Sequence, residues 1–353
     1  MADSIFSDRS FNAIWYGQRK PSWWLRGLAW VFGKIVRLRR DMYGAGLLTR
    51  ERLSVPVIVV GNLTVGGAGK TPLVIALVEA LRARGLNPGV ISRGYAGTGE
   101  SLLVVDEHSS PLSVGDEAAL VFQTTRAPFI VCRDRVRAGR HMLKTTAVDV
   151  IISDDGLQHY RLHRDVEICV IDGERRFGNE HLLPAGPLRE PLSRLDSIAL
   201  RVCNGGDAQP SEVPMQLVGD QIVSVADPQR RRPLRDFAGQ EPKCLGGQGR
   251  PREAAGQRVH AVAGIGNPER FFARLRAAGL DVIPRAFDDH FPYAEKDLDF
   301  GDGLPVLMTA KDAVKCSAYT RLDLWSLPVR ATLPEGFFDT VAERIRNVRA
   351  EHQ

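Results

Sequence analysis

"GNLTVGGAGKTP", Gly61 to Pro72, follows directly on the apolar run Val55-Pro56-Val57-Ile58-Val59-Val60. An apolar run ahead of a glycine cluster reads as a buried strand that empties into a turn. Gly66, Gly67 and Gly69 free the backbone to curl its N–H groups inward, and Lys70-Thr71 open a helix with Pro72 in its first turn. Strand, glycine-rich turn and helix start form an anion cradle in that order, because unpaired amides and the helix dipole both attract phosphate. The match to G-x-x-x-x-G-K-[ST] is partial: Gly69, Lys70 and Thr71 fit its end, while its first glycine falls on Thr64. In this reading Gly66, Gly67, Ala68 and Gly69 wrap a nucleotide's phosphates, Lys70 reaches the β and γ oxygens, and Thr71 ligates Mg²⁺. A merely structural strand-to-helix turn is the competing reading.

A phosphate site of this type needs a second apolar strand that ends in an acidic group for the metal. "VDVIISDDG", Val148 to Gly156, supplies Asp154 and Asp155 at a strand end. Aspartates there also act as plain turn formers. The earlier loop favours the metal role. Between and beyond these motifs strands and helices alternate, which predicts a doubly wound α/β sheet of the P-loop NTPase type. Strands are expected at Val57–Val60, Gly89–Ser92, Leu102–Val105, Pro128–Cys132, Val148–Ser153, Val166–Ile171 and Ile198–Val202, with helices at Pro72–Arg84, Asp116–Thr124 and Arg135–Lys144. From Gly205 to Gln257 the pattern weakens into Gly, Pro, Gln and Arg, a domain boundary with a mobile loop. A second, smaller α/β unit follows, with strands at Val259–Ala263 and Val306–Thr309 and helices at Pro268–Ala278 and Gly336–Ala350. The expected domains are 1–45 (N-terminal helix and connector), 46–215 (nucleotide-binding) and 216–353 (smaller domain with the final helix).

The 353 residues, 44% hydrophobic, suffice for two cores, and the net charge of +5 suits an anionic partner without naming one. Five scattered cysteines with no C-x-x-C pair read as free thiols in a reducing compartment. No signal peptide is evident. "PSWWLRGLAWVFGKIVRLRR", Pro21 to Arg40, stands apart. Its uncharged core is too short to span a bilayer, yet Leu25, Leu28, Ala29, Phe32, Ile35 and Val36 share one side of a helix, flanked by Arg26, Lys34, Arg37 and Arg40. With Trp23, Trp24 and Trp30 it reads as an in-plane interfacial helix drawn to acidic lipids. A helix docked on its own domain is the bland alternative.

Three further signals carry less weight. His159 and His163 have the spacing of zinc ligands but lack the glutamate of H-E-x-x-H. "GIGNPE" from Gly264 puts Glu269 at the third glycine position of a dinucleotide fingerprint, and Asn267-Pro268 reads better as a helix start. The basic runs "RRFGNE" and "QRRRPLR" lack interleaved aromatics and read as solvated loops, so no nucleic acid is expected.

These segments occur together with "SRGYAG" from Ser92, "VGDEA" from Val114, "DDGLQH" from Asp154, "LLPAGPLREP" from Leu182, "VAGIGNPERFF" from Val262 and "DDHFPY" from Asp288. The set closely resembles the tetraacyldisaccharide 4′-kinases, the lipid A 4′-kinases, over about nine-tenths of the chain and in the family's order. The resemblance implies two α/β domains, an N-terminal membrane-associated helix and a site on the cytoplasmic face of the bacterial inner membrane. It implies transfer of the γ-phosphate of ATP, with Mg²⁺, to the 4′-hydroxyl of an acylated glucosamine disaccharide 1-phosphate, with no obligatory protein partner.

It also implies roles: Asp116 as the base, assisted by His290, with Asp155, Gln158, Arg189 and Glu190 around the metal and the acceptor. An aspartate with a pKa of about 4 is a weak base in water, so an imidazole that shares the proton makes chemical sense. Asp116 also suits a helix cap, and His290 an ordinary loop. The sequence departs from the family at Ala68, where a threonine is more usual, and at Ala310, where a glutamate is. Two rivals remain: a membrane-recruited regulatory ATPase, whose signature lysine would have to replace Val65, and a kinase of a soluble small molecule, which has no use for the Trp-rich helix.

Overall fold

The computed structural model describes residues 8–17, 19–94, 101–237 and 256–351. The chain runs through helices α1 (Asp8–Trp15) and α2 (Trp23–Gly44), strand β1 (Val57–Gly61), helix α3 (Lys70–Ala83), strands β2 (Pro88–Ser92) and β3 (Leu103–Val105), and helices α4 (Pro111–Val114) and α5 (Asp116–Thr125). Strand β4 (Phe129–Val131), helix α6 (Arg135–Thr145) and strands β5 (Val150–Asp154), β6 (Val166–Asp172), β7 (Leu200–Asn204) and β8 (Val213–Val218) follow. These belong mainly to a first unit, built from 1–109, 113–217 and 331–353. A second unit, 110–112 and 218–330, holds β9 (Gln221–Ser224), β10 (Arg231–Pro233), β11 (Arg258–Ala263), α7 (Pro268–Ala277), β12 (Asp281–Ala286), α8 (Glu295–Leu298), β13 (Val306–Thr309), α9 (Ala310–Ala313) and β14 (Leu324–Leu327). Strand β15 (Arg330–Thr332) and helix α10 (Glu335–Glu351) complete the chain.

The first unit is a nine-stranded sheet in the order β15-β8-β7-β6-β1-β5-β2-β4-β3. Pairings from β8 through β4 are parallel, and β3 lies antiparallel on β4. The continuous apolar run of β1 follows from this position. Ile58 and Val60 join the core on one face of the sheet, Val57 and Val59 the core on the other, so the strand is covered by helices on both sides. Helix α3 buries Leu73, Val74, Leu77, Val78 and Leu81 at helical spacing in the first of these cores, each full Leu or Val burial contributing about 1.5–3 kcal/mol. Helix α6 supplies Val136, Ala138 and Met142 to the other.

The sequence groups the final helix with the smaller domain; the structure does not. Phe337, Val341, Ala342 and Ile345 of α10 pack into the same core as α3, and β15 edges the first sheet. The amphipathic stripe of α10 specifies that it must be covered, not by which sheet. The stretch from Gly205, where the sequence pattern weakens, contains β8, β9 and β10, while the expected mobile loop falls largely on 238–255, outside the described residues.

The second unit is a six-stranded sheet, β10-β9-β14-β13-β11-β12. Its four strands from β14 to β12 are parallel, with β9 antiparallel to β14 and β10 to β9. Arg230 and Arg232 of the basic run lie over the ring of buried Trp325, at 4.9 and 5.3 Å, which gives those charges a structural use.

Helix α2 has only Leu25 and Ala29 buried, one turn apart, against Ala185 with Ile14 and Leu182 alongside. Trp23, Leu28, Trp30, Val31, Ile35 and Leu38 are exposed, Trp23 to 85%. Docking therefore explains a narrow strip of the helix and leaves an apolar surface around the rest. Among the described residues no helix is long and apolar enough to cross a membrane.

Candidate active site

The phosphate loop leaves the carboxyl end of β1, between β5 and β6, where parallel sheets bind ligands. Gly66 and Gly69 adopt positive φ, +102° and +93°, a conformation nearly closed to other residues. A Cβ on Gly69 would also collide with the amide of Asn204, which donates to Ala68 O at 3.0 Å. The loop is braced from outside by "LLPAGPLREP": Val65 N donates to Pro187 O (2.9 Å) and Arg189 N to Leu63 O (2.7 Å). These bonds deliver Arg189 to the loop.

Lys70 opens α3 and is buried, its Nζ donating to Asn62 Oδ1 at 3.0 Å and lying 3.3 Å from Asp155 Oδ1. Asn62, fully buried, was not singled out in the sequence, although a polar residue directly after a buried strand is itself a signal. Its amide also donates to Thr64 Oγ1 and Gly66 O, both at 3.3 Å, so it ties the lysine to the loop. Thr71, next in α3, is half-buried.

Asp155 sits in the left-handed region, φ +48°, with Arg189 Nη1 at 3.0 Å from each carboxylate oxygen. Burial alone raises its pKa, but Lys70 and Arg189 together hold it well below the usual carboxylate range. Gln158 donates to Asn62 O (3.2 Å) and to Glu190 Oε2 (3.1 Å), and Arg189 reaches its Oε1 at 3.5 Å. Lys70, Asp155, Gln158 and Arg189 are thus brought together. Glu190 adjoins Gln158. It is buried to 1% exposure with both oxygens engaged, by Gln158 and by the Tyr160 hydroxyl, so it braces the neighbours that face the loop.

Asp154 pairs in register with Val60 at the end of β1. Its Oδ1 is buried with no hydrogen-bond partner among the described residues, and its pKa is pushed up to about 7 by burial and then by the like charge of Glu117, against the pull of Lys70. Arg135, also buried and also missed in the sequence, donates to the backbone carbonyls of Asp154 (3.2 Å) and Asp155 (2.7 Å). It fixes the strand end without neutralising Asp154 by direct contact.

Asp116 is buried in the first turn of α5. The cap of that helix is Gly115, φ +92°, so Asp116 lies one residue inside the cap position, and its Oδ1 accepts from Glu117 N at 2.9 Å. His290 belongs to the second unit, at φ +62°, with Nε2 3.8 Å from Asp289 Oδ1. His163 Nε2 lies 2.6 Å from Arg52 Nη2 and 3.3 Å from Asp165 Oδ1.

A buried lysine at the start of the helix after a glycine-rich loop, beside a parallel strand ending in two aspartates, defines a P-loop phosphotransferase. The family model "Tetraacyldisaccharide-1-P 4'-kinase" matches residues 21–346. The tetraacyldisaccharide 4'-kinase of Methylobacillus flagellatus is 46% identical over 332 residues, 94% of each chain, and that of an Azoarcus species 46% over 345 residues, 93% of this chain and 96% of its own. A crystal structure of LpxK from Aquifex aeolicus in complex with ATP matches with a TM-score of 0.73 at 27% identity, covering 92% of this chain and 98% of that one. The chain belongs to the tetraacyldisaccharide-1-P 4'-kinase family. It is an ATP-dependent kinase of lipid A biosynthesis, and the regulatory-ATPase and soluble-substrate readings fall away.

Proposed function

We propose that this chain phosphorylates the 4′-hydroxyl of a tetraacylated glucosamine disaccharide 1-phosphate from ATP and Mg²⁺, working as a peripheral enzyme on the anionic cytoplasmic face of the inner membrane. The observation that carries the metal part is the buried, unpartnered Oδ1 of Asp154 beside the loop. An ionised carboxylate there needs a cation. Asp154 and Thr71 would hold Mg²⁺, with phosphate oxygens and water completing a shell that this ion rarely takes from protein alone. When bound, the ion spreads charge off the β and γ oxygens.

Lys70 supplies the second positive charge and Gly66, Gly67, Ala68 and Gly69 the amide cup. Asp155 keeps Lys70 and Arg189 aimed into one region, and Arg189 with Gln158 positions the acceptor. Asp116, with His290 as partner, takes the hydroxyl proton.

The raised pKa of Asp154 gives this reading a pH signature. The metal needs the carboxylate, so Mg²⁺·ATP affinity should rise about tenfold between pH 6 and pH 8, with proton release on binding largest at the acid end. Calorimetry in two buffers of different ionisation enthalpy measures this, and Asp154→Asn should flatten the dependence. Without metal the sign reverses for stability. From about pH 4 to pH 7 the folded form holds a proton that the unfolded chain has released, so metal-free stability falls as pH rises.

The exposed apolar surface of α2 supports the membrane role, with Lys34 5.2 Å over the ring of Trp30 at its border. Replacing Trp23, Trp30 and Leu38 together by serine leaves the buried Leu25 and Ala29 untouched. We expect binding to vesicles containing phosphatidylglycerol to weaken at least tenfold, from the loss of roughly 1.5–3 kcal/mol per apolar side chain. Transfer of label from ATP to the acylated disaccharide in those vesicles should fall in parallel. Unlabelled lipid with the intact enzyme would defeat the functional reading; undiminished vesicle binding by the variant would defeat the membrane part.

A further inference from the structure

His290 is the second-unit residue of the proposed proton-transfer pair, and its setting is unusual. A non-glycine residue at φ +62° costs about 1–3 kcal/mol and persists only where neighbours over-determine the backbone. Here they do. Phe287, Phe291 and Tyr293 form a cluster with ring centroids 4.8 to 5.2 Å apart, and Phe287 N is bonded to Ala263 O at the end of β11. Tyr293 is held at both ends, its hydroxyl donating to Asp312 Oδ1 (3.1 Å) and its carbonyl accepting from the Tyr319 hydroxyl (2.6 Å).

Asp312 is the hub of this arrangement. It is fully buried, and it accepts from Gly264 N (3.0 Å), Thr309 Oγ1 (2.6 Å) and Lys315 Nζ (3.0 Å) besides Tyr293. Through it the single-turn helix α9, the end of β11 and the 287–293 loop are locked together. The neighbouring residue on α9, Lys311, therefore has a fixed base, and its Nζ donates to Asp289 Oδ1 at 3.0 Å. The same oxygen faces His290 Nε2 at 3.8 Å.

We propose that Asp289, clamped by Lys311, is a positioning residue for His290: it holds the imidazole with its Nε2–H toward the carboxylate and so leaves Nδ1 as the nitrogen that serves the proton transfer. The physical basis is simple. An imidazole has one donor and one acceptor nitrogen when neutral, and a carboxylate beside Nε2 favours the tautomer that points a proton at it. Lys311 keeps that carboxylate from swinging away. The inference rests on the reading of His290 as the partner of Asp116.

The test compares Asp289→Asn, Asp289→Glu and Lys311→Met, each alone and in a His290→Ala background, in the full-length enzyme. Asp289→Asn should lower kcat about 10- to 100-fold, within the span of acid–base effects, with the KM for ATP within about twofold of the parent. Asp289→Glu should recover part of the loss, and Lys311→Met should reproduce it more weakly. In the His290→Ala background none of the three should cost anything further, since the effect passes through the ring. Selective ¹⁵N labelling of histidine adds a readout independent of turnover: His290 should be the Nε2–H tautomer in the parent and shift toward a mixture in Asp289→Asn. An unchanged tautomer ratio, or losses that simply add to that of His290→Ala, would overturn the proposal while leaving His290 its role. Full activity of His290→Ala itself would remove both.

Discussion

Lys70→Met is expected to lower kcat about 1000-fold, or about 4 kcal/mol of transition-state stabilisation, and to weaken ATP binding about tenfold. The size follows from where the ammonium sits. Buried at the start of α3, it is screened little by solvent, and Asn62 and Asp155 hold it in place for the role proposed above, at the β and γ oxygens. The fold should survive, because each partner keeps other bonds: Asp155 retains Arg189 on both oxygens, and Asn62 retains Thr64 and Gly66. Stability should fall by about 1.5–3 kcal/mol, the usual worth of one hydrogen bond to a charged group. Steady-state kinetics with labelled ATP, beside a melting curve, checks both halves. A variant that keeps more than a tenth of parental kcat would show that the lysine is structural.

The parts of this site that were legible in the sequence are those whose chemistry is local. A run as apolar as Val57–Val60 fits a strand covered on both faces, and the glycines after it fit a sharp turn, so β1, the loop and the start of α3 follow from the sixteen residues Val57 to Pro72. The same holds for β5 and Asp154. What stayed hidden depends on partners far away in the chain. Glu190 is a hub because Gln158 and Tyr160 lie 32 and 30 positions from it, and no short window of sequence contains both ends of those bonds. Strand β12, mostly exposed and interrupted by Pro284, has little strand signal of its own and is held by its register with β11. The final helix was visible as a helix. Its home in the first unit was not, since an apolar stripe states a need for burial and leaves the choice of surface to the rest of the fold.

Asp116→Asn is the sharper test of mechanism, because it changes charge and basicity and almost nothing else. The carboxylate oxygen that accepts from Glu117 N can be replaced by an amide oxygen of the same shape, so the first turn of α5 should form as before. A carboxamide takes up no proton near neutral pH. If Asp116 removes the proton of the 4′-hydroxyl, kcat should fall about 10²- to 10⁴-fold while the KM values for ATP and for the lipid stay within about threefold, the pattern of an interaction made only in the transition state. His290→Ala should cause a smaller loss if the imidazole assists, and the two losses should be far from additive, because the imidazole acts only through Asp116. Loss of ATP binding alongside kcat would instead place Asp116 in the nucleotide site, where its neighbour Glu117 already acts on Asp154. Retention of kcat within a factor of about three would leave the hydroxyl to lose its proton unaided, as a loose phosphoryl-transfer transition state permits.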